Sequence, residues 1–369
     1  MRFWINTIFL ITVCTSIFLL YRYLYPEKKI AYTPGKTRTP AHKTIYKTPS
    51  FTDILLNEKM GEKIQIPEHG AYLGISLYER NINYLASLEN LLNKHFAIVA
   101  TYQSWGDAAN KFNLEWVNTL RDKNSTALIS WEPWVPISGY DRSESIVDQK
   151  DYRLINIING SFDNYIRQYA KDVKSYKKQI IIRFAHEMNG NWYPWGSKFN
   201  TYLEYIAAWK HVHNIFTEEG ATNVTWLWSP NEIYIDENVP YADKILEFYP
   251  GDKYVDWVGF SSFNWGGRYK HNMWREPEAM YTETIKVLLD LNKPIVIAET
   301  ASADYNTDKM KANWISALAT YIKSNAAIKG ILWFNVEDNG INWKIESSAL
   351  SIAAFSKSFD DYFTQYYKE

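Results

Sequence analysis

The sequence predicts an α/β chain whose main domain is a (β/α)8 TIM barrel, preceded by an N-terminal apolar segment and a tether. Two observations carry this. Eight short runs of nearly continuous apolar character recur along the chain, and longer amphipathic segments separate them. Strands without polar alternation are buried on both faces, as in a parallel sheet covered by helices. Eight such units fit the roughly 250 residues or more that this barrel takes. An open doubly wound sheet is the competing arrangement, but no glycine-rich phosphate turn follows the first run.

In order, the strands are expected at Ala71–Leu77, Ala97–Tyr102, Ala127–Trp131, Ile180–Phe184, Val224–Trp228, Trp257–Ser261, Pro294–Ala298 and Ile328–Phe334. Helices are expected at Phe162–Tyr176, Tyr202–Thr217, Ala279–Leu291 and Lys309–Ser324, with a final one at Ala349–Tyr367. Ahead of the barrel domain (residues 51–369), residues 1–25 read as a membrane anchor or uncleaved signal segment. Phe3 to Leu20 carries no charge, follows Arg2, and meets the criterion of about 18 apolar residues for a spanning helix. A cleaved signal peptide is the rival reading, but no small-residue cleavage site precedes Tyr21-Arg22-Tyr23-Leu24-Tyr25. The lipoprotein alternative at Leu10-Ile11-Thr12-Val13-Cys14 fits poorly, because Val13 is bulky. Residues 26–50, rich in Pro, Thr and Lys, read as an extended linker.

Composition excludes several functions. Lys and Arg number 40 against 41 Asp and Glu, so no basic surface for nucleic acid is implied. Cys14 is the single cysteine, which excludes a disulfide framework, an iron–sulfur centre and a cysteine zinc site. With 16 Trp and 28 Tyr, the chain is rich in the side chains that stack on sugar rings.

The barrel sorts the remaining residues, because active sites of this fold sit at the C-terminal ends of the strands. Those ends carry Tyr78, Trp105, Glu132 with Trp134, His186 with Glu187, Asn231 with Glu232, Phe263 with Asn264, Glu299, and Trp333 to Asn335. The densest group is Arg183-Phe184-Ala185-His186-Glu187-Met188-Asn189-Gly190-Asn191-Trp192-Tyr193-Pro194-Trp195-Gly196. A carboxyl among aromatic rings suits cleavage of a glycosidic bond. A zinc-protease helix is excluded, since the fourth residue after His186 is Gly190, which ligates nothing. No metal and no cofactor is implied.

Glycoside hydrolysis takes two carboxyl groups, and Glu187 has three candidate partners: Glu132, Glu232 and Glu299. Glu299 is the first charge after an apolar strand that lies across the barrel from the fourth. Glu232 ranks next, and Glu132 is placed to bind sugar hydroxyls or to pair with Arg142. The pattern Arg-x-x-His-Glu-Met-Asn-Gly-x-Trp-x-x-Trp-Gly, with the later Ile-Ala-Glu, resembles glycoside hydrolase family 26, from about His69 to the last helix. The resemblance implies a retaining enzyme with Glu187 as acid/base and Glu299 as nucleophile. It implies further that His186 lies near the reacting sugar, that Arg183 pairs with the nucleophile, and that Trp192 and Trp195 form an aromatic wall. Trp333 is expected as the platform under the cleaved sugar, with Trp131 and Trp265 as further stacking candidates. Members commonly carry a tyrosine at the end of the sixth strand, donating to the nucleophile. Phe263 aligns there, which predicts a lost hydrogen bond, a raised nucleophile pKa and slower turnover.

Family 26 holds β-mannanases and some enzymes acting on mixed-linkage β-glucan or β-1,3-xylan, so endo-β-1,4-mannanase is the first expectation. A β-glucanase or an exopolysaccharide-processing hydrolase is the alternative. A weakly catalytic glycan-binding subunit of an export system is the alternative from another class. The expected partners are a polysaccharide and, through the N-terminal helix, a membrane. Arg22, Lys28, Lys29, Lys36 and Arg38 favour a cytoplasmic flank, and with it a third reading, an enzyme on cytoplasmic sugar intermediates. A polymeric substrate places the domain in the periplasm or outside the cell, which is the localisation expected. The sequence fixes no oligomeric state.

Overall fold

The computed structural model describes residues 63–107, 110–136, 148–234, 241, 243–267, 273–338 and 340–364. The N-terminal anchor, the linker and Arg142 lie outside them. Among the described residues no helix is long and apolar enough to cross a membrane.

Eight parallel strands close into a barrel: β1 Ala71–Ser76, β2 Ile98–Ser104, β3 Thr126–Glu132, β4 Ile180–Phe184, β5 Val224–Trp228, β6 Trp257–Asn264, β7 Ile295–Ser302 and β8 Ile328–Phe334. Closure runs through β1 and β8, with Tyr72 opposite Gly330 and Ser76 opposite Phe334. The helices are α1 Ile82–Leu92, α2 Leu114–Asp122, α3 Leu154–Ile158, α4 Asp163–Tyr176, α5 Tyr202–Glu219, α6 Pro277–Leu289, α7 Asp308–Ser324 and α8 Ala349–Ser358. Their ends follow local chemistry. For α5, Thr201 and Glu204 form a reciprocal capping box, and Gly220 closes the other end at φ +75°.

Every residue of β3, β4, β5, β6 and β7 is buried, as expected for strands covered on both faces. Alternate residues divide the core in two. Ile98, Leu128, Ile181, Leu227, Val296 and Leu332 belong to the cluster that fills the barrel, while Trp131, Phe184, Trp228 and Trp333 join the larger one between strands and helices. The interior is tight enough to require glycine at residue 74, where a Cβ would lie 2.7 Å from Leu332 Cγ and 2.9 Å from the Ile98 carbonyl. Tyr72 and Trp257 stack at 6.2 Å within the interior cluster, which Ile64 also joins.

Three elements differ most from expectation. The last helix stops at Ser358 instead of Tyr367, because Asp360 turns the chain. Its side chain accepts from Tyr362 N and its carbonyl from Phe363 N, the local competition by which aspartate ends helices. Phe363–Thr364 then pairs with β1 as a short parallel strand, β11. The sixth and seventh strands also run further than their apolar stretches, to Asn264 and Ser302, so that Glu299 lies inside β7. Between β8 and α8 a small hairpin, β9 Glu337–Asp338 with β10 Ile341–Asn342, lies beyond the strand end.

Candidate active site

The site begins with the exit from β4. The chain passes through left-handed conformations at Ala185 (φ +43°) and Glu187 (φ +54°), each costing on the order of 1–3 kcal/mol for a residue with a Cβ. Neighbouring strands hold the strained turn: Ala185 N donates to the Trp131 carbonyl and Glu187 N to the Ser229 carbonyl. Below it Arg183 points into the barrel. Its Nε and Nη2 donate to Ser130 Oγ, and Nη2 lies 2.9 Å from Glu299 Oε2.

Glu299 reaches Arg183 because β7 is irregular. The pairing of β7 with β8 shifts between Ile297 and Thr300, and that of β6 with β7 shifts between Phe260 and Ser261. Ala298 belongs to the barrel-filling cluster, yet the next residue, Glu299, also faces inward, and Thr300 bonds Tyr281 of α6 on the outside. Such bulges re-aim a side chain beside an active site.

Glu187 and Glu299 therefore meet. One nitrogen of His186 and one oxygen from each carboxylate all lie within 4.8 Å of one another. Trp192 Nε1 donates to Glu187 Oε2 at 2.7 Å. The ring that carries this donor fits because residue 190 is glycine, where a Cβ would lie 2.5 Å from Trp192 Cζ2. Burial pushes the Glu299 carboxyl well up, with Asp338 adding to the push. The guanidinium at 2.9 Å acts in the opposite direction and holds the carboxylate form. Arg183 is itself lowered to about 10 by burial.

The other candidate carboxyls are occupied elsewhere. Glu232 makes a two-point ion pair with Arg275, at 2.6 and 2.8 Å, so it is not placed as the partner of Glu187. Glu132 accepts from Ser104 Oγ and Trp134 Nε1 and lies 4.0 Å from His186 Nε2, so it borders the cluster of His186, Glu187 and Glu299.

The profile of Glycosyl hydrolase family 26 matches residues 95–365. The chain belongs to glycosyl hydrolase family 26. It is similar to Endoglucanase H of Acetivibrio thermocellus, 33% identical over 300 residues, which cover 78% of this chain and 30% of that protein. A mannan endo-1,4-beta-mannosidase A and B of Caldalkalibacillus mannanilyticus is 30% identical over 127 residues, 32% of this chain and 21% of that protein. The chain thus spans under a third of the length of these relatives. Among solved structures, the family 26 β-mannanase BoMan26A of Bacteroides ovatus superposes with a TM-score of 0.60 at 16% identity, covering 80% of this chain and 90% of that one. Mannanase man26 of Bacillus subtilis superposes with a TM-score of 0.55 at 18% identity, covering 83% and 88%. Both likenesses concern the fold.

Against the family pattern, three aromatic expectations need correction. Trp333 is fully buried on the outer face of β8, its ring against Trp314 and Phe355, and offers no platform to a sugar. Trp131 is likewise enclosed, stacked on Tyr169 at 4.6 Å with Nε1 on Tyr165. Trp195 is also fully buried. It lies flat on Tyr193 at 4.2 Å and donates to the His186 carbonyl, so it braces the turn from beneath. Trp192 and Trp265 are only partly buried.

The sixth strand supplies what Phe263 lacks. Ser261 pairs directly with Glu299 and places its Oγ 3.3 Å from Glu299 Oε2, so a hydroxyl donor stands two residues before the expected tyrosine position. Phe263 instead packs among Trp265, Phe334 and Trp343. Trp343 was missed by sequence reasoning because it follows the β9–β10 hairpin rather than a strand.

Proposed function

We propose that this chain is a retaining glycoside hydrolase that cleaves a β-linked polysaccharide, with β-mannan as the first substrate. One observation carries the reading: a carboxylate oxygen of Glu187 lies within 4.8 Å of one of Glu299. Retaining enzymes hold their carboxyl groups about 5–5.5 Å apart, whereas inverting ones need about 6.5 Å or more to admit a water. Glu299 attacks the anomeric carbon while Glu187 gives its proton to the departing glycosidic oxygen. Water then enters, Glu187 takes its proton, and the hydroxide displaces Glu299 from the sugar. Arg183 and Ser261 stabilise the attacking carboxylate, and Trp192 orients the acid/base.

A second polymer is favoured by a specific finding. Endoglucanase H matches 78% of this chain, while the mannosidase cited above matches 32%. A β-glucan is therefore the alternative substrate, with mixed-linkage β-glucan the form the family resemblance suggests. We also propose that the apolar segment from Phe3 to Leu20 anchors the domain outside the cytoplasm; a reporter fused after Glu369 that works only outside the cytoplasm will be active if so.

The test is reducing-sugar release from mannan, glucomannan, mixed-linkage β-glucan, β-1,3-xylan and cellulose, with Glu187→Gln and Glu299→Gln alongside. Each substitution is expected to cost at least about a hundredfold, the lower range for one acid–base group. A folded wild-type protein that binds a polymer and releases nothing would instead support the glycan-binding subunit.

A further inference from the structure

One charged group sits where a barrel ordinarily keeps apolar side chains. Lys311, on α7, is fully buried. Its Nζ donates to the carbonyls of Asn342 and Lys344 at 3.3 and 2.8 Å, and to Ser347 Oγ at 3.1 Å. Asp304, just past the end of β7, lies 3.2 Å from the same nitrogen, and Ser347 Oγ donates to it at 2.8 Å. One ammonium thus ties the segment after the nucleophile strand to the segment after β8.

What those bonds enclose is Trp343. The two carbonyls that Lys311 holds belong to the residues on either side of it, and the Trp343 carbonyl accepts from Trp333 Nε1. The ring meets Phe263 at 5.3 Å and Trp265 at 5.0 Å, the aromatic group at the end of the strand that bears Ser261. Asn335 anchors the next turn, accepting from Ile345 N and donating to Glu346.

Resting on the hydrolase reading above, we propose that Lys311 is a positioning residue for catalysis, acting through the buried ring of Trp343 to fix Phe263 and Trp265, at the end of the strand whose Ser261 bonds Glu299. A helix that only needed packing would carry an apolar side chain here, since an uncharged residue avoids the desolvation of a buried ammonium. Fixed geometry of these rings is the return. Burial lowers Lys311 to about 8, and Asp304 and Glu346 are the acidic groups that counter this.

A double-mutant cycle on the chain of 369 residues tests it, using whichever polymer the wild type cleaves. Lys311→Met is expected to lower kcat/KM about tenfold, and Trp343→Ala by more. Adding Lys311→Met to Trp343→Ala should then change nothing further. Ser347→Ala, a milder cut in the same clamp, should lose about threefold with the same dependence on Trp343, and it carries the test if Lys311→Met does not fold. Equal losses with and without Trp343, or unchanged kcat/KM in Lys311→Met and Ser347→Ala, would overturn the proposal. If the wild type cleaves no polymer, the hydrolase reading has failed. The cycle is then read as oligosaccharide affinity by tryptophan fluorescence, and the same non-additivity decides.

Discussion

At the scale of single residues, one buried carboxylate has to be kept charged. Glu299 is buried, which pushes its pKa up, and Arg183 opposes that at 2.9 Å. Arg183→Met removes the opposing charge, so Glu299 ionises only at higher pH. The acid limb of kcat/KM against pH is expected to move upward, with activity at pH 5 falling more than at pH 8. An unmoved limb would mean that Arg183 only holds strands together. Trp192→Phe tests the other carboxyl. It keeps a ring over Gly190 but deletes the donor at 2.7 Å from Glu187. A hydrogen bond to a charged group contributes about 1.5–3 kcal/mol, so kcat should drop about ten- to a hundredfold, as steady-state kinetics will show. Glu187 and Glu299 stood out in the sequence as carboxyls that follow apolar strands, and Arg183 through the resemblance of the fourth-strand pattern to family 26. Ser261 was not, because its neighbour across the sheet depends on a register shift that no spacing records.

At the scale of elements, strand ends were readable and strand faces were not. The sequence places Trp131 and Trp333 near the C-terminal rim, where an aromatic suggests a sugar. Pleating turns both rings outward into the helical layer. Trp131 should therefore behave as core: Trp131→Ala is expected to lose about 3–5 kcal/mol of stability in urea unfolding. At temperatures where it stays folded, KM should remain within about twofold of wild type, an effect under 0.5 kcal/mol. A large KM change without a stability loss would return Trp131 to the substrate. The last helix teaches the same lesson, since its apolar periodicity continues past Ser358 while Asp360 ends it with local hydrogen bonds. Composition gives the face, but one competing acceptor sets the end.

Across the whole molecule, eight apolar runs sufficed to give the barrel, and the barrel gave the site. The hairpin that precedes Trp343 was invisible because β9 and β10 are too short to leave a pattern. The fold also stores a response to acid. His213, between the rings of Trp226 and Tyr254, is lowered by burial from 6.5 to about 4, with Lys63 contributing. The unfolded chain takes up this proton as pH falls through 6.5, and the folded chain does so only near 4. Stability from this group is thus present above 6.5 and lost on the way down to about 4. Urea midpoints should fall from pH 7 to pH 4.5 in the wild type, and by less in His213→Phe. A parallel fall in both would rule out His213 as a source. Whether Glu187 and Glu299 act as a retaining pair is decided by proton NMR of the sugar first released in D2O. The β anomer appearing ahead of mutarotation is the predicted result, and the α anomer appearing first would contradict the mechanism.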